Sequence, residues 1–271
     1  MKYAICNETF ENWSHEKACA FAAECGYTGL EIAPFTLGAT AKDVTAAQRV
    51  QMRKTVQSAG LMTVGLHWLL AKTTGFHLTT ADETVRRKTG AYLGDLARLC
   101  RDLGGDLMVL GSPMQRNLQP EMPHDVGMKN AAHTISLALP ILEETGVTIA
   151  VEPLGPAEGN FLLTAEKGVE LIEMIGSPNV RLHLDVKAMS TEATPISDII
   201  KKNATYLAHF HANDPNRRGP GMGEVDFRPI LHALREVNYD GWVSVEVFDY
   251  EPGAERLARE SISNLKAACL S

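Results

Sequence analysis

The sequence is poor in the features that mark secreted and membrane-bound proteins. Its five cysteines are odd in number and include no CxxC pair, which argues against a disulfide framework and against a thiolate metal site. No hydrophobic run is long enough to span a bilayer, and the first residues do not follow the pattern of a signal peptide. We therefore expect reduced thiols, no membrane partner and a cytoplasmic location.

Positive charge is scarce as well. The net charge is -7, and the lysine and arginine residues are scattered along the chain instead of forming a basic stripe. Such a protein has no general attraction for phosphate backbones, so we expect no nucleic-acid partner. A glycine-rich phosphate turn after the first apolar run is also absent, and this disfavours a doubly wound dinucleotide-binding sheet.

Eight short apolar runs alternate with helix-length segments. A chain of 271 residues that is 45% hydrophobic can bury one large core. The length and the β-branched content of the runs are typical of buried parallel strands. The runs are YAIC (3–6), GLEIAPF (29–35), MTVGLHWL (62–69), DLMVLGS (106–112), VTIAVEPL (147–154), VRLHLDV (180–186), YLAHFHA (206–212) and WVSVEVF (242–248).

Helix signals occupy the segments between these runs. Thr45 with Gln48, and Thr80 with Glu83, have the spacing of capping boxes. Eight βα units without a linker or a low-complexity tract predict an α/β fold, a single-domain (β/α)8 TIM barrel over residues 1–271. A doubly wound sheet is the competing fold, and the even spacing of the units makes it less natural.

Four successive predicted strands each place a metal-ligand type of side chain near their C-terminal end. These residues are Glu152, Asp185, His211 and Glu246, each about one βα unit from the next. Active sites of TIM barrels lie at this end of the strands. A lone carboxylate there could be paired with a basic residue, but three carboxylates beside one imidazole favour a shared cation. Such an oxygen-rich set suits Mn²⁺, Mg²⁺ or Co²⁺ better than it suits zinc, which prefers thiolates.

Other polar residues lie close to these strand ends. His183 and His209 precede two of the candidate ligands by two residues, and we interpret them as core histidines satisfied by hydrogen bonds. Lys187 points toward the barrel mouth, where it could contact substrate or form a salt bridge. His67, beside Trp68, is interpreted as part of a ligand-binding wall rather than as ordinary packing.

The motifs of the last four units resemble a known family. VEPLG (151–155), HLDV (183–186), H-x-N-D with NRR (211–218) and SVEVF (244–248) are similar to the xylose-isomerase-like barrel superfamily of sugar and sugar-phosphate isomerases and epimerases. The likeness is strongest to the D-tagatose 3-epimerase and D-psicose 3-epimerase group, with hydroxypyruvate isomerase as a cousin. It covers essentially the whole chain, although the first four units match only in pattern.

The resemblance implies roles for individual residues. Glu152, Asp185, His211 and Glu246 would bind Mn²⁺ or a similar ion, and Glu152 and Glu246 would double as the acid/base pair. The expected activity is that of a metal-dependent isomerase or epimerase of a small sugar or related α-hydroxy carbonyl compound. Proton transfer would proceed through a metal-stabilised enediolate.

The resemblance also implies a substrate pocket. Glu158 and Arg217 would hold substrate hydroxyls, and Phe248 would line the pocket. One position departs from the family pattern, because the histidine three residues after the metal-binding aspartate is replaced by Ala188. In the family that histidine contacts substrate, so its loss affects the choice of sugar and not the metal site.

Other activities are compatible with the same barrel. A metal-dependent lyase or hydratase acting on a keto-glycoside could use the same ion and bases to expel a group. A nuclease resembling endonuclease IV would need more histidines than the chain provides. Arg217 and Arg218, followed by Gly219, Gly221 and Gly223, could bind either a phosphate or hydroxyls. The sequence does not determine the oligomeric state, although barrels of this kind commonly form homo-oligomers.

Overall fold

Eight parallel strands close into a barrel in the computed structural model, which describes residues 1–270. Each strand pairs with its neighbours in chain order, and β1 closes the barrel by pairing with β8. The strands are Lys2–Cys6 (β1), Gly29–Ile32 (β2), Met62–Leu66 (β3), Leu107–Leu110 (β4), Thr148–Val151 (β5), Val180–Asp185 (β6), Leu207–Ala212 (β7) and Trp242–Val245 (β8). The predicted TIM barrel is therefore confirmed, and each strand lies within one of the eight apolar runs except for Lys2, which begins β1 one residue early.

Helices surround the barrel and pack one apolar face against the strands. Their bounds are His15–Cys25 (α1), Ala46–Ser58 (α2), Glu83–Leu103 (α3), His124–Ser136 (α4), Leu139–Thr145 (α5), Ala165–Ile175 (α6), Val186–Met189 (α7), Ile196–Lys202 (α8), Phe227–Glu236 (α9) and Ala254–Leu270 (α10). No helix within residues 1–270 is both long enough and apolar enough to cross a membrane. All five cysteines are free thiols, as expected.

One of the two predicted capping boxes is confirmed. The Thr45 hydroxyl accepts the backbone N–H of Gln48, and the Gln48 side chain accepts the Thr45 N–H at 2.8 Å. The prediction for Thr80 and Glu83 is wrong. Helix α3 begins at Glu83 because the carboxylate of Asp82 accepts the first free N–H groups of the helix.

Candidate active site

The four predicted ligands converge at the C-terminal mouth of the barrel. Glu152 and Glu246 directly follow β5 and β8, Asp185 ends β6, and His211 lies next to the end of β7. Asp185 lies directly opposite His211 in the paired strands β6 and β7. All four side chains are buried. The closed barrel thus gathers at one point residues that lie far apart in the sequence.

Three of the four predicted ligands lie close enough together to share one cation, and the fourth, Glu246, contacts His211. Ligand atoms of Glu152, Asp185 and His211, together with one of His183, lie within 4.8 Å of one another. Nδ1 of His211 is 3.1 Å from Oε2 of Glu246. Adjacent ligands around an octahedral ion with bonds of about 2.1 Å are separated by about 3 Å. The donor set is mostly oxygen, as hard divalent ions prefer.

The protonation equilibria of the carboxylates also point to a cation. Burial raises the pKa of Glu152 well above its ordinary value, and the neighbouring carboxylates of Glu246 and Asp185 add to this effect. Burial likewise raises the pKa of Asp185. Burial opposes ionisation of Glu246 too, but His211, His67 and Lys187 together outweigh it and lower the pKa of Glu246. A bound divalent ion would offset the repulsion among these buried charges.

Asp185 is held in place by two short contacts. Its Oδ1 accepts the backbone N–H of Ala188 at 2.8 Å, and its Oδ2 accepts the side-chain amide of Asn213 at 2.5 Å. The amide oxygen of Asn213 in turn accepts the Lys187 N–H at 2.9 Å. Asn213 therefore joins the end of β7 to helix α7 and fixes the carboxylate between them. The sequence analysis did not single out Asn213, although it is the N of the H-x-N-D motif.

Glu31 orients His211 from across the barrel. Oε1 of Glu31 lies 3.1 Å from Nε2 of His211, and Oε2 lies 2.8 Å from Nε2 of His209. A carboxylate on the second ring nitrogen would let Nδ1 of His211 face a bound ion, an arrangement that is common in metal sites. Burial acts against the ionised form of Glu31, but His209 and His211 outweigh it and lower its pKa well below the ordinary value.

The two core histidines differ in their contacts. His209 bonds to Glu31 through Nε2, which agrees with a histidine satisfied in the core, although its Nδ1 has no partner. The same interpretation is wrong for His183, because neither of its ring nitrogens has a hydrogen-bond partner among residues 1–270. Its Nε2 lies 3.8 Å from Oε1 of Glu152. Burial, and then the neighbouring rings of His211 and His209, lower the pKa of His183 well below its ordinary value.

His67 and Trp68 directly follow strand β3 at the mouth of the barrel. His67 is fully buried, and its Nε2 is 2.8 Å from Oε2 of Glu8. Trp68 faces the mouth, and its ring stacks on that of Phe248 with centroids 5.7 Å apart and an interplanar angle of 22°. Trp68 and Phe248 form a flat aromatic wall, whereas His67 is buried with a ring nitrogen within 4.8 Å of a Glu246 carboxylate oxygen. The substrate-binding role predicted for His67 stays a prediction.

Two cavities meet at the mouth. The inner cavity, of about 290 Å³, is lined by Glu152 and the aromatic wall. The outer cavity, of about 460 Å³, is lined by Lys187 and Arg217. Glu158 and Phe248 line both cavities. Four of the five predicted substrate-binding residues therefore line these cavities. The fifth, His67, lines neither of them.

The backbone of Arg217 adopts an unusual conformation and is fixed by two hydrogen bonds. Its φ of 71° lies in the left-handed region, which is unfavourable for a residue with a side chain. Its carbonyl oxygen accepts the N–H groups of Phe248 and Asp249 at 2.8 and 2.9 Å. These two bonds fix the loop after β7 to the end of β8. Backbone strain of this kind concentrates at functional sites.

Two further residues that the sequence analysis did not assign support Glu152. Arg116 is buried, and its guanidinium donates to the Glu152 carbonyl oxygen at 2.5 Å. Gly111 lies so close to Glu152 that an added Cβ atom would be 2.0 Å from Oε2 of the carboxylate. Neither residue belongs to a periodic pattern, so the sequence carried no signal for them beyond their position after β4.

The sequence profile of the xylose isomerase-like TIM barrel family matches residues 19–268. The chain is 28% identical to a D-psicose 3-epimerase of Enterocloster bolteae over 270 residues, covering 93% of this chain and 84% of that protein. It is 27% identical to a D-psicose 3-epimerase of Agrobacterium fabrum, covering 92% of this chain and 85% of that one.

Solved structures show the same fold. A crystal structure of D-psicose 3-epimerase from Clostridium cellulolyticum with D-tagatose superposes with a TM-score of 0.87 at 20% identity, over 99% of both chains. A structure of L-ribulose 3-epimerase superposes with a TM-score of 0.86 at 23% identity, over 100% of this chain and 95% of that one.

Proposed function

The chain belongs to the xylose isomerase-like TIM barrel family, and from this premise we propose that it is a divalent-metal-dependent epimerase or isomerase of a small sugar or related α-hydroxy carbonyl compound. One observation carries the proposal. Three buried carboxylates and one imidazole meet at the barrel mouth, with Oε2 of Glu246 3.1 Å from Nδ1 of His211. The relatives named as ketose 3-epimerases support the same chemistry.

Glu152, Asp185, His211 and Glu246 would hold the ion. A bound divalent ion supplies a positive charge that binds the carbonyl and hydroxyl oxygens of the sugar and stabilises the negative charge that develops on them. The hard oxygen donors support Mn²⁺, with Mg²⁺ or Co²⁺ as substitutes. Glu31 and Asn213 would keep the His211 ring and the Asp185 carboxylate in position.

Glu152 and Glu246 would act as the acid/base pair. Removing the proton beside a carbonyl requires a positioned base, and returning it requires a positioned acid. Their environments push the pKa of Glu152 up and that of Glu246 down, which is the pattern expected of such a pair. If one carboxylate removes a proton and the other returns one on the opposite face of the sugar, the outcome is epimerisation. If one carboxylate serves both carbons, the outcome is aldose–ketose isomerisation.

Elimination from a keto-glycoside is the second candidate. Ala188 favours it, since this buried side chain presents no polar group where the epimerases have a substrate-binding histidine. The same base could remove the proton, and the neighbouring substituent would then leave instead of the proton returning. The substrate would lose mass in this reaction, whereas epimerisation and isomerisation conserve it.

Solvent exchange tests the proposal directly. The Mn²⁺-loaded protein is incubated in D₂O with a panel of ketoses, aldoses and keto-glycosides, and products are identified by NMR and mass spectrometry. We expect deuterium at the carbon next to the carbonyl together with a new epimer or isomer. Loss of a substituent would instead establish elimination. If no substrate in the panel incorporates deuterium, the proposed function is refuted.

Glu246→Gln provides the matched variant. The substitution removes the ionised carboxylate but keeps its shape, so we expect turnover to fall at least about 100-fold while the fold is retained. Glu236→Gln, which alters an exposed carboxylate paired with Lys201 at 2.7 Å, serves as the control. Near-normal turnover of Glu246→Gln, measured with saturating Mn²⁺, would contradict the assignment.

We further infer that the protein works in the cytoplasm on a sugar. The five free thiols support a reducing compartment. The acidic net charge of -7 and the scattered basic residues support a small-molecule substrate rather than nucleic acid. A homo-oligomer remains a prediction from the resemblance.

A further inference from the structure

A second group of ligand-type side chains lies at the ends of the first three strands. Cys6 ends β1 and pairs in register with Glu31 on β2, and His67 directly follows β3. One ligand atom of each residue lies within 4.8 Å of the other two, and all three side chains are fully buried. None of them belongs to the set predicted at the ends of β5 to β8. The barrel therefore holds a separate cluster of one thiol, one carboxylate and one imidazole, the β1–β3 cluster.

Hydrogen bonds do not satisfy the His67 ring. Its Nδ1 is buried and has no hydrogen-bond partner within residues 1–270. Oε1 of Glu31 lies 3.7 Å from this nitrogen, which is too far for a hydrogen bond. Two ligand atoms of one tetrahedral ion, with bonds of about 2.1 Å, are separated by about 3.4 Å. The observed separation is thus closer to that of two ligands of one ion than to that of a donor and an acceptor.

Glu8 orients His67 from the other side of the ring. Oε2 of Glu8 lies 2.8 Å from Nε2 of His67, so this nitrogen carries the proton that the carboxylate accepts. The lone pair of the ring is then on Nδ1, which faces Glu31 in the β1–β3 cluster. A carboxylate that fixes the tautomer and the orientation of a histidine in this way is a common companion of metal-binding histidines.

The charge balance also favours a second cation. Neither Glu8 nor Glu31 forms an ion pair with a lysine or an arginine within residues 1–270, and their charged neighbours are histidines. One divalent ion at the ends of β5 to β8 would offset only part of the buried negative charge, which comes from five carboxylates. These are Glu8, Glu31, Glu152, Asp185 and Glu246.

We propose that Cys6, Glu31 and His67 bind a second divalent cation, of the borderline-soft class represented by Zn²⁺. Thiolate and imidazole ligands suit zinc, whereas the mostly oxygen donors at the ends of β5 to β8 suit harder ions. The cysteine pattern disfavoured a thiolate site because no CxxC pair is present. Barrel closure instead brings one thiol beside a histidine and a carboxylate from other strands.

A bound ion would tie the first three strands together. It would also hold Glu31 in place, whose Oε1 lies 3.1 Å from Nε2 of His211. Three protein ligands leave one position of a tetrahedral ion for a water molecule. The site would therefore support the predicted catalytic centre from the opposite half of the barrel, and it does not require the proposed activity.

Cobalt absorption tests the second site. Protein freed of metal with EDTA is titrated with Co²⁺, which substitutes for Zn²⁺ and reports its ligands in the absorption spectrum. We expect a thiolate-to-cobalt charge-transfer band in the near ultraviolet, and Zn²⁺ should then remove the band because it binds such ligands more tightly. The set at the ends of β5 to β8 contains no sulfur and cannot give this band. Absence of the band at saturating Co²⁺, or its survival in excess Zn²⁺, overturns the inference.

Three variants assign the band to the β1–β3 cluster. Cys6→Ser should abolish it. Cys19→Ser is the matched control and should retain the band, since Cys19 is also a buried thiol beside a histidine, with Sγ 3.8 Å from Nε2 of His15. His67→Gln should weaken Co²⁺ binding at least about 10-fold, because even an outer contact of a ligand is worth about 10- to 100-fold. Retention of the band in Cys6→Ser, its loss in Cys19→Ser, or unchanged affinity in His67→Gln contradicts the assignment.

Far-UV circular dichroism confirms that each variant is folded. If Cys6→Ser does not fold, the band of the unmodified protein and the affinity of His67→Gln decide the question. The second site and the proposed function can also fail separately. A charge-transfer band in a protein that exchanges no deuterium would keep the second site and refute the function. Deuterium exchange without any such band would do the reverse.

Discussion

The absence of a side chain at Gly111 shapes the site as much as any charged residue does. The Glu152 carboxylate occupies the space that a Cβ atom would take, with only 2.0 Å between the two positions. Glu152 can turn toward Asp185 and His211 only while that space stays open. The sequence showed the glycine at the end of the fourth apolar run but gave no indication of what approaches it.

Gly111→Ala therefore should damage the site and spare the fold. The contacted atom is the end of a flexible side chain, so the carboxylate will move aside and leave its position near the other ligands. We expect Mn²⁺ affinity to fall at least about 10-fold, since a carboxylate ligand is displaced. Calorimetric titration with Mn²⁺ measures this, alongside far-UV circular dichroism. An affinity equal to that of the unmodified protein would show that Glu152 does not need this space.

At the scale of secondary-structure elements, strands β2 and β7 contact each other through side chains inside the barrel. Glu31 on β2 contacts both histidines of β7, and the pairing register shifts next to Glu31 and next to His183. Such irregularities change the direction in which the side chains of a strand point, and they are frequent beside active sites. The predicted ligand His211 is consequently held by an element from the other half of the chain.

Glu31→Gln should weaken the metal site through the contact of Glu31 with His211. The neutral amide no longer stabilises the ring orientation that presents Nδ1, and loss of such an outer contact typically costs about 10- to 100-fold in metal affinity. Glu236→Gln is the comparison, because Glu236 is an exposed carboxylate that pairs with Lys201 at 2.7 Å and contacts none of the predicted ligands. We expect less than a threefold effect there. Equal effects of both variants on the Mn²⁺ dissociation constant would contradict this role of Glu31.

At the scale of the whole molecule, metal binding and barrel stability should be coupled. The predicted ligands lie at the ends of β5 to β8, and burial raises the pKa of Glu152 and of Asp185 because the folded barrel keeps these carboxylates out of water. A cation that binds only the folded state relieves this cost and stabilises the whole closed sheet. Chelation removes that contribution.

Mn²⁺ at 100 times its dissociation constant should therefore raise the melting temperature. The expected gain is about 2.7 kcal/mol, or roughly 5–10 °C for a chain of this size. EDTA should reverse the shift, and Asp185→Asn should abolish most of it. The shift should shrink as the pH falls, because the carboxylates and His211 must lose their protons to bind the ion. A melting temperature that is the same with Mn²⁺ and with EDTA, measured by calorimetry, would refute this coupling.

The sequence by itself determined the architecture and the four strand-end residues. Buried parallel strands need continuous apolar runs, so a carboxylate such as Asp185 at the end of a run is conspicuous without any coordinates. The helix start at Asp82 shows the limit of local patterns. Thr80 and Asp82 could each have capped helix α3, and only the folded structure shows that Asp82 does so.

Only the tertiary structure decided the contacts that complete the site. Glu31 meets His211, Gly111 makes room for Glu152, and Asn213 fixes Asp185, each through an approach between strands or loops that are distant in the chain. The two cavities that meet at Phe248 are likewise formed by loops from several units. Such contacts depend on barrel closure and side-chain direction, which the order of residues along one strand does not encode.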